Sequence, residues 1–254
     1  MTHGISHQQL SFSGKTVLIT GAAGGIGSAM ARAFAAHGAA LKLADKNSVA
    51  LDDLANELIR DGVQVVPLLY DQSQEASISA LADRCVDVDI VLNNAGILRT
   101  GALLDAEPSE ARDVIETNLL GPILLTMAIA PHLVKRGGGV IINTASQLAF
   151  TGAATRALYA SAKAGLVQFT RSAAAEFGPL GVRVVALAPG RTLTDLNRHL
   201  LDDPEELAWS LKRIPAGRLG DAEEMARLTL LLASPLADYI VGETLVADGG
   251  YILE

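Results

Sequence analysis

The chain has 254 residues, 50% of them hydrophobic and 19% charged, with a formal net charge of −8. That composition supplies a large buried core, in one α/β domain or two small ones. The acidic balance argues against a nucleic-acid partner, and the single cysteine, Cys85, excludes a disulfide framework or a cysteine zinc site.

Residues 1–13 read as a loose arm without the apolar segment of a signal peptide. Lys15 to Thr20 is short, apolar and β-branched, the pattern of a buried strand. It runs into Gly21, Gly24, Gly25 and Gly27, and then into a helix over Ser28 to His37 that stops at Gly38. Strand, glycine turn and helix make a phosphate-binding arrangement. Glycines admit a pyrophosphate close to the backbone, and the helix N-terminus offers free N–H groups. The spacing is G-x-x-x-G-x-G with no Lys-Ser/Thr behind it, so it is not a Walker loop. A second strand, Ala40 to Ala44, ends at Asp45, about twenty residues beyond Gly25. A carboxylate there accepts from ribose hydroxyls and repels a 2′-phosphate, which points to NAD. Lys46 beside it is the feature that would suit a phosphate.

Ser48 to Arg60 reads as a helix and Val63 to Tyr70 as the third strand, with Asp71 and Gln72 placed to reach an adenine edge. A helix over Glu75 to Cys85 precedes the strand Asp89 to Leu92, which enters the turn Asn93-Asn94-Ala95-Gly96. Ligands of open parallel sheets bind along this carboxyl edge. Ser109 to Leu133 reads as one long helix. Thr117 to Val134 lacks Asp, Glu, Lys and Arg, yet Asn118, Gly121, Pro122, Thr126, Pro131 and His132 fit a buried helix better than a membrane span. Pro122 has no N–H for the Asn118 carbonyl, so the helix should kink there.

Val140 to Thr144 is the fifth strand, with Ser146 just beyond it. Leu158 to Phe177 is a helix carrying Tyr159 and Lys163, which at i and i+4 share one face. The ammonium should lower the phenol from its ordinary pKa of about 10. A phenol so tuned exchanges a proton with an alcohol or ketone, and the Ser146 hydroxyl would bond the same substrate oxygen. Gly181 to Leu187 is the sixth strand and runs on to Pro189-Gly190-Arg191-Thr192-Leu193-Thr194. Residues 191–219 mix basic, aromatic and aliphatic side chains with two prolines and read as a substrate lid. Asp221 to Ala233 is a helix and Thr244 to Ala247 the last strand. The alternation gives an α/β fold with a single doubly wound parallel sheet, residues 14–254 being one domain.

With these pieces in order, the sequence resembles the short-chain dehydrogenase/reductase family from Gly14 to Ile252. The motifs are TGAAGGIG at Thr20 to Gly27, NNAG at Asn93 to Gly96, Asn118, Ser146, YASAK at Tyr159 to Lys163, and Pro189-Gly190. The resemblance implies a seven-stranded Rossmann sheet and a homotetramer or homodimer. It makes Tyr159 the general acid/base. Lys163 would hold the nicotinamide ribose, Ser146 the substrate oxygen, and Asn118 a proton relay. Ile26, Asp71, Asn93 and Thr192 would line the cofactor, with Thr194 near its carboxamide. Gly21, Gly25, Gly27, Asp45, Gln72, Ala95, Gly96, Pro189 and Gly190 complete that set. Three departures stand out: Ala145-Ser146 where two serines are usual, Val241-Gly242 for Thr-Gly, and Ala247-Asp248 for Val-Asp.

The implied activity is reversible, metal-free oxidation of a secondary alcohol with NAD, in a cytoplasmic protein that touches neither membrane nor nucleic acid. Gln147 and Arg99 suit a polyhydroxy substrate, a sugar or polyol. One alternative is an NADPH-dependent 3-ketoacyl reductase, with Arg191, Arg198, Lys212 and Arg213 as candidates to receive an acidic carrier. The other is a non-catalytic dinucleotide-binding sensor or scaffold.

Overall fold

The computed structural model describes residues 10–194 and 204–253. Its strands are β1 (Thr16–Thr20), β2 (Ala40–Asp45), β3 (Val65–Leu69), β4 (Ile90–Asn93), β5 (Gly139–Thr144), β6 (Val182–Pro189) and β7 (Thr244–Ala247). They form one 7-stranded sheet in the order β3-β2-β1-β4-β5-β6-β7. Every adjacent pair is parallel. The order runs outward one way from β1 and the other way from β4. The carboxyl ends of these two strands therefore flank the switch point, where a crevice opens.

The helices are α1 (Gly25–Ala36), α2 (Ser48–Arg60), α3 (Glu75–Asp83), α4 (Pro108–Ile115), α5 (Gly121–Lys135), α6 (Ala157–Phe177), α7 (Pro204–Lys212) and α8 (Ala222–Ala233). Strands buried on both faces explain the apolar runs in the sequence. Val17, Ile19, Leu41 and Leu43 face one layer, where they pack with Phe34 of α1, Leu54 of α2 and Leu230 of α8. Leu18, Val91 and Ile141 face the other, with Ile78 of α3, Leu125 and Ile129 of α5 and Ala173 of α6.

Three elements differ from the sequence reading. The first helix begins at Gly25, inside the glycine cluster, so Gly25 and Gly27 fall in the helix's first turn and bring its N-terminus directly to the crevice. The end of the arm is anchored: Phe12 is buried, meets Phe34 edge-on at 4.8 Å, and donates its N–H to His37 O at 2.8 Å. The long helix is divided by a π-helical turn at Glu116–Leu120. Gly121-Pro122 thus changes the hydrogen-bond register where a simple kink was expected, and the π turn moves the carbonyl that Pro122 cannot serve from Asn118 to Thr117. The span Pro108–Lys135 is, among the described residues, the one helix long and apolar enough to cross a membrane. Its Leu125, Ile129 and Leu133 are spent in the core.

Candidate active site

The crevice at the β1/β4 boundary is a cleft of about 450 Å³. Gly21, Gly24, Gly25, Ile26 and Gly27 form one wall, and α1 opens onto it with no side-chain cap and no acid in its first turn. Its N–H groups are thus available to an anion. Two glycines are required by close approach. A Cβ on Gly21, which sits at φ +63°, would stand 2.7 Å from Ala95 Cα, and one on Gly27 would stand 2.1 Å from Gly21 O. The turn after β4 is strapped to this wall. Thr20 Oγ1 accepts from the N–H groups of Asn94 and Ala95 at 3.0 and 3.1 Å, and Asn94 Nδ2 donates to the Thr20 and Gly21 carbonyls, both at 3.2 Å.

Asp45 lines the cleft at the end of β2. Its two oxygens accept from Ala23 N at 3.0 Å and Asn47 N at 2.9 Å, so the carboxylate is fixed against the glycine turn. Lys46 lines the cleft beside it, as do Tyr70, Asp71, Gln72 and Ser73 at the end of β3. Asp71 accepts from both the N–H and the hydroxyl of Ser73. Burial holds the Tyr70 phenol well above its ordinary range, with Asp71 adding to the shift.

Tyr159 and Lys163 rise from the first turns of α6 and both line the cleft. Lys163 is 3% exposed, and its ammonium donates to Thr144 O at 2.6 Å and lies 5.8 Å from the centre of the Tyr159 ring. The sequence led to the expectation of a phenol shifted down by this lysine. The structure reverses the direction: burial pushes the Tyr159 phenol up, and the hydrogen bond with Ser146 pulls only part of the way back. Burial also pulls the Lys163 ammonium down to about 8. Both shifts have one cause, the loss of water around a charged form. The phenol is therefore protonated at neutral pH, a proton donor at rest.

Ser146 stands at the end of β5, where its hydroxyl also accepts from Leu148 N at 3.2 Å. Asn118, inside the π turn, is fully buried behind Gly96. Its Oδ1 accepts from Ile97 N at 3.1 Å, and its Nδ2 donates to Ile97 O and Val114 O, each at 3.0 Å. The side chain clamps the segment that follows β4 to the helix. Ala95, Gly96 and Thr194 line the cleft, and Thr194 packs where a Cβ of Gly25 would be.

Four expected cofactor residues lie off the cleft wall. Asn93 is buried in the sheet, donating to Thr126 Oγ1 at 3.1 Å and Asn143 Oδ1 at 2.8 Å, and Asn143 continues to Thr170 Oγ1 at 2.9 Å. That network ties β4 and β5 to the helices of one layer. Its neighbour Asn94 faces the cleft instead, because successive strand residues point to opposite sides. Pro189 closes β6. A Cβ on Gly190 would meet Asp248 Cα at 2.4 Å, and Thr192 is buried with its hydroxyl on Gly190 O at 3.2 Å. These three shape the β6 end against the C-terminal turn.

Ile97, Arg99, Asp113, Thr117 and Thr144 also line the cleft. Of these only Arg99 stood out in the sequence, where it follows the NNAG turn. Gln147 is 3% exposed, with its amide oxygen directed at Gly190 rather than the cleft. Arg198 and the rest of 195–203 lie outside the described residues. In the described part of the expected lid, Trp209 of α7 is held between Arg191 and Arg213, at 5.1 and 4.9 Å from its ring centre, and Arg213 also stacks on Tyr251 at 5.0 Å.

A parallel switch-point sheet, a glycine-walled anion pocket and a Ser-Tyr-Lys cluster define a dinucleotide-binding oxidoreductase. A family model described as enoyl-(acyl carrier protein) reductase matches residues 21–252. The chain is 38% identical over 242 residues to 3-oxoacyl-[acyl-carrier-protein] reductase FabG of Vibrio harveyi, covering 95% of this chain and 98% of that one. It is also similar to a gluconate 5-dehydrogenase from Burkholderia cenocepacia in complex with NADP and tartrate, at 34% identity and a TM-score of 0.93 over 98% of this chain and 99% of that chain. A 7α-hydroxysteroid dehydrogenase complexed with NADH and its 7-oxo ligand gives 33% and 0.93 over 97% and 98%. The chain belongs to the short-chain dehydrogenase/reductase family.

Proposed function

We propose that the chain reduces the keto group of a 3-oxoacyl thioester to a secondary alcohol, with NADH preferred over NADPH. The observation that carries the reading is the Tyr159 phenol in the cleft, one helical turn from Lys163 and hydrogen-bonded to Ser146. A neutral phenol is what a carbonyl oxygen needs as it becomes an alkoxide. The substrate class rests on the FabG relatives, which match almost end to end. It takes the place of the sugar or polyol reading, whose support weakens because Gln147 is turned away from the cleft.

The glycine wall and Asp45 would hold the cofactor's phosphates and adenosine ribose, and Tyr159 and Lys163 the reacting end. A reduced nicotinamide bound there supplies the hydride. The protein's own part is the proton. Ser146 and Tyr159 hydroxyls bond the carbonyl oxygen, Tyr159 passes its proton to that oxygen, and Lys163 stabilises the phenolate left behind. Asp45 supports the cofactor preference, since a 2′-phosphate would meet a carboxylate already fixed by two backbone bonds.

Oxidation of a sugar acid is the second reading. Arg99 favours it, a cleft cation that forms no ion pair among the described residues. Cofactor turnover with acetoacetyl-CoA and with gluconate separates the two. Turnover of gluconate alone overturns the thioester assignment. A cytoplasmic homotetramer or homodimer belongs to the same proposal on the strength of family membership, and light scattering of the purified protein checks the assembly.

A further inference from the structure

The register change in the long helix strands one carbonyl at the cleft. In the π turn the Gly121 N–H bonds Glu116 O. In an unbroken α-helix that N–H would serve Thr117. One step on, in the π register, the donor for Thr117 would be the N–H of residue 122, and Pro122 has none. A buried carbonyl without a donor is costly. Gln72 supplies the donor from the end of β3: its Nε2 lies 2.6 Å from Thr117 O and 3.0 Å from Ala95 O. Tyr70 donates its hydroxyl to Gln72 Oε1 at 3.4 Å, which fixes which end of the amide faces the two carbonyls. Gln72 is only 4% exposed, and Gly121 makes room for it, since a Cβ there would stand 2.4 Å from Gln72 Cγ.

We infer that Gln72 is a positioning residue whose amide holds the π turn, and with it Asn118 and the Ala95-Gly96 turn, in place beside Lys163. The connection is short. Asn118 lies within the turn and bonds both backbone groups of Ile97. Gly96 lies between Asn118 and the lysine: a Cβ on it would be 2.7 Å from Asn118 Oδ1 and 3.6 Å from Lys163 Nζ. Relaxing the turn to α register would rotate Asn118 by about 100° about the helix axis and break both Ile97 bonds. The wall under the lysine would then lose its support.

The inference rests on Tyr159 and Lys163 being the reacting pair, so Tyr159→Phe runs beside it as a control. Gln72→Leu keeps the size and removes the amide. Its kcat should fall about tenfold while the NADH Kd stays within about threefold, the signature of a misplaced proton-transfer group. In the cofactor-free protein, amide hydrogen exchange over 116–123 should speed up at least tenfold, a readout that needs no substrate. Gln72→Glu is nearly isosteric but sets a carboxylate against two carbonyl oxygens. Its kcat relative to wild type should be low at high pH and climb as pH falls and the carboxyl becomes a donor. The charged groups sharing the cleft, Asp45, Lys46, Asp71, Arg99, Asp113 and Lys163, are common to both proteins, so the ratio isolates residue 72. Three results each overturn the inference: wild-type exchange over 116–123, a pH-flat Glu ratio, or a loss in Gln72→Leu confined to NADH affinity. If Gln72→Leu does not fold, the Glu ratio decides. Normal turnover in Tyr159→Phe instead removes the reading of the site itself.

Discussion

Lys163 is kept at the expense of stability, and the size of that penalty is measurable. The residue is 3% exposed, and its ammonium donates to Thr144 O at 2.6 Å and has its pKa pulled from 10.5 to about 8 by burial. A gap of roughly 2.5 units corresponds to about 3 kcal/mol. The folded pKa lies below the unfolded one, so between about pH 8 and 10.5 the unfolded chain holds a proton that the folded chain has released. The penalty is therefore complete below pH 8 and fades as pH rises through that window. Lys163→Met keeps the length and apolar stem and removes the charge. At pH 7 the variant loses the bond to the Thr144 carbonyl, worth about 1–2 kcal/mol, and recovers the larger desolvation cost. It should be the more stable protein by about 1–2 kcal/mol, although inactive. For a chain of this size 1 kcal/mol moves Tm by about 2–4 °C. The Tm difference between variant and wild type, measured without cofactor from pH 7 to 10.5, should swing by about 6–12 °C in favour of wild type. A difference that stays constant across that range would show that burial does not depress the lysine, and the argument for a water-poor reacting end would fall.

Asp45→Asn keeps the bonds to Ala23 and Asn47 in reach and removes the charge; the ratio of kcat/KM for NADPH over NADH should rise at least tenfold, and an unchanged ratio would mean that Asp45 does not select the cofactor. Gly27→Ala forces a methyl to 2.1 Å from Gly21 O, so the glycine turn must open; NADH binding should weaken by more than tenfold by calorimetry, against which wild-type affinity would count decisively. Asn143→Leu breaks the buried chain from Asn93 to Thr170 and should cost about 2–3 kcal/mol in denaturant unfolding with NADH affinity held within about twofold. Weakened NADH binding at unchanged stability would return that network to the cofactor site.

The parts written in local pattern were legible before the structure. Alternating apolar runs and glycine stops placed the strands and most of the helices, because the central strands are buried on both faces and each stop needs a particular backbone angle. One-turn spacing put Tyr159 and Lys163 on a common face, and the distance from Gly25 to Asp45 brought the carboxylate to the cleft. What escaped depends on contacts between distant segments. Asn93 and Asn94 are neighbours with opposite fates, and only the sheet decides which one faces the cleft. Pro122 announces a disturbed helix, but the donor to the Thr117 carbonyl, Gln72, arrives from just beyond the distant strand β3. Arg191 and Arg213 look like a free basic patch until Trp209 is seen between them. The direction of the Tyr159 shift needed burial, since desolvation there exceeds the effect of the Ser146 hydrogen bond. Phe12 looked like part of a loose arm because its partner, Phe34, lies on another element.

The most direct test is the turnover of NADH with acetoacetyl-CoA by the wild-type protein and by Tyr159→Phe, with NADH affinity measured for both. The account requires oxidation of NADH by the wild type, a loss of kcat between about 10² and 10⁴ in the variant, and NADH Kd values within about twofold of each other. A variant that keeps more than about a tenth of wild-type kcat, a loss under roughly 1.4 kcal/mol, would show that the proton comes from elsewhere and contradict the assignment of Tyr159.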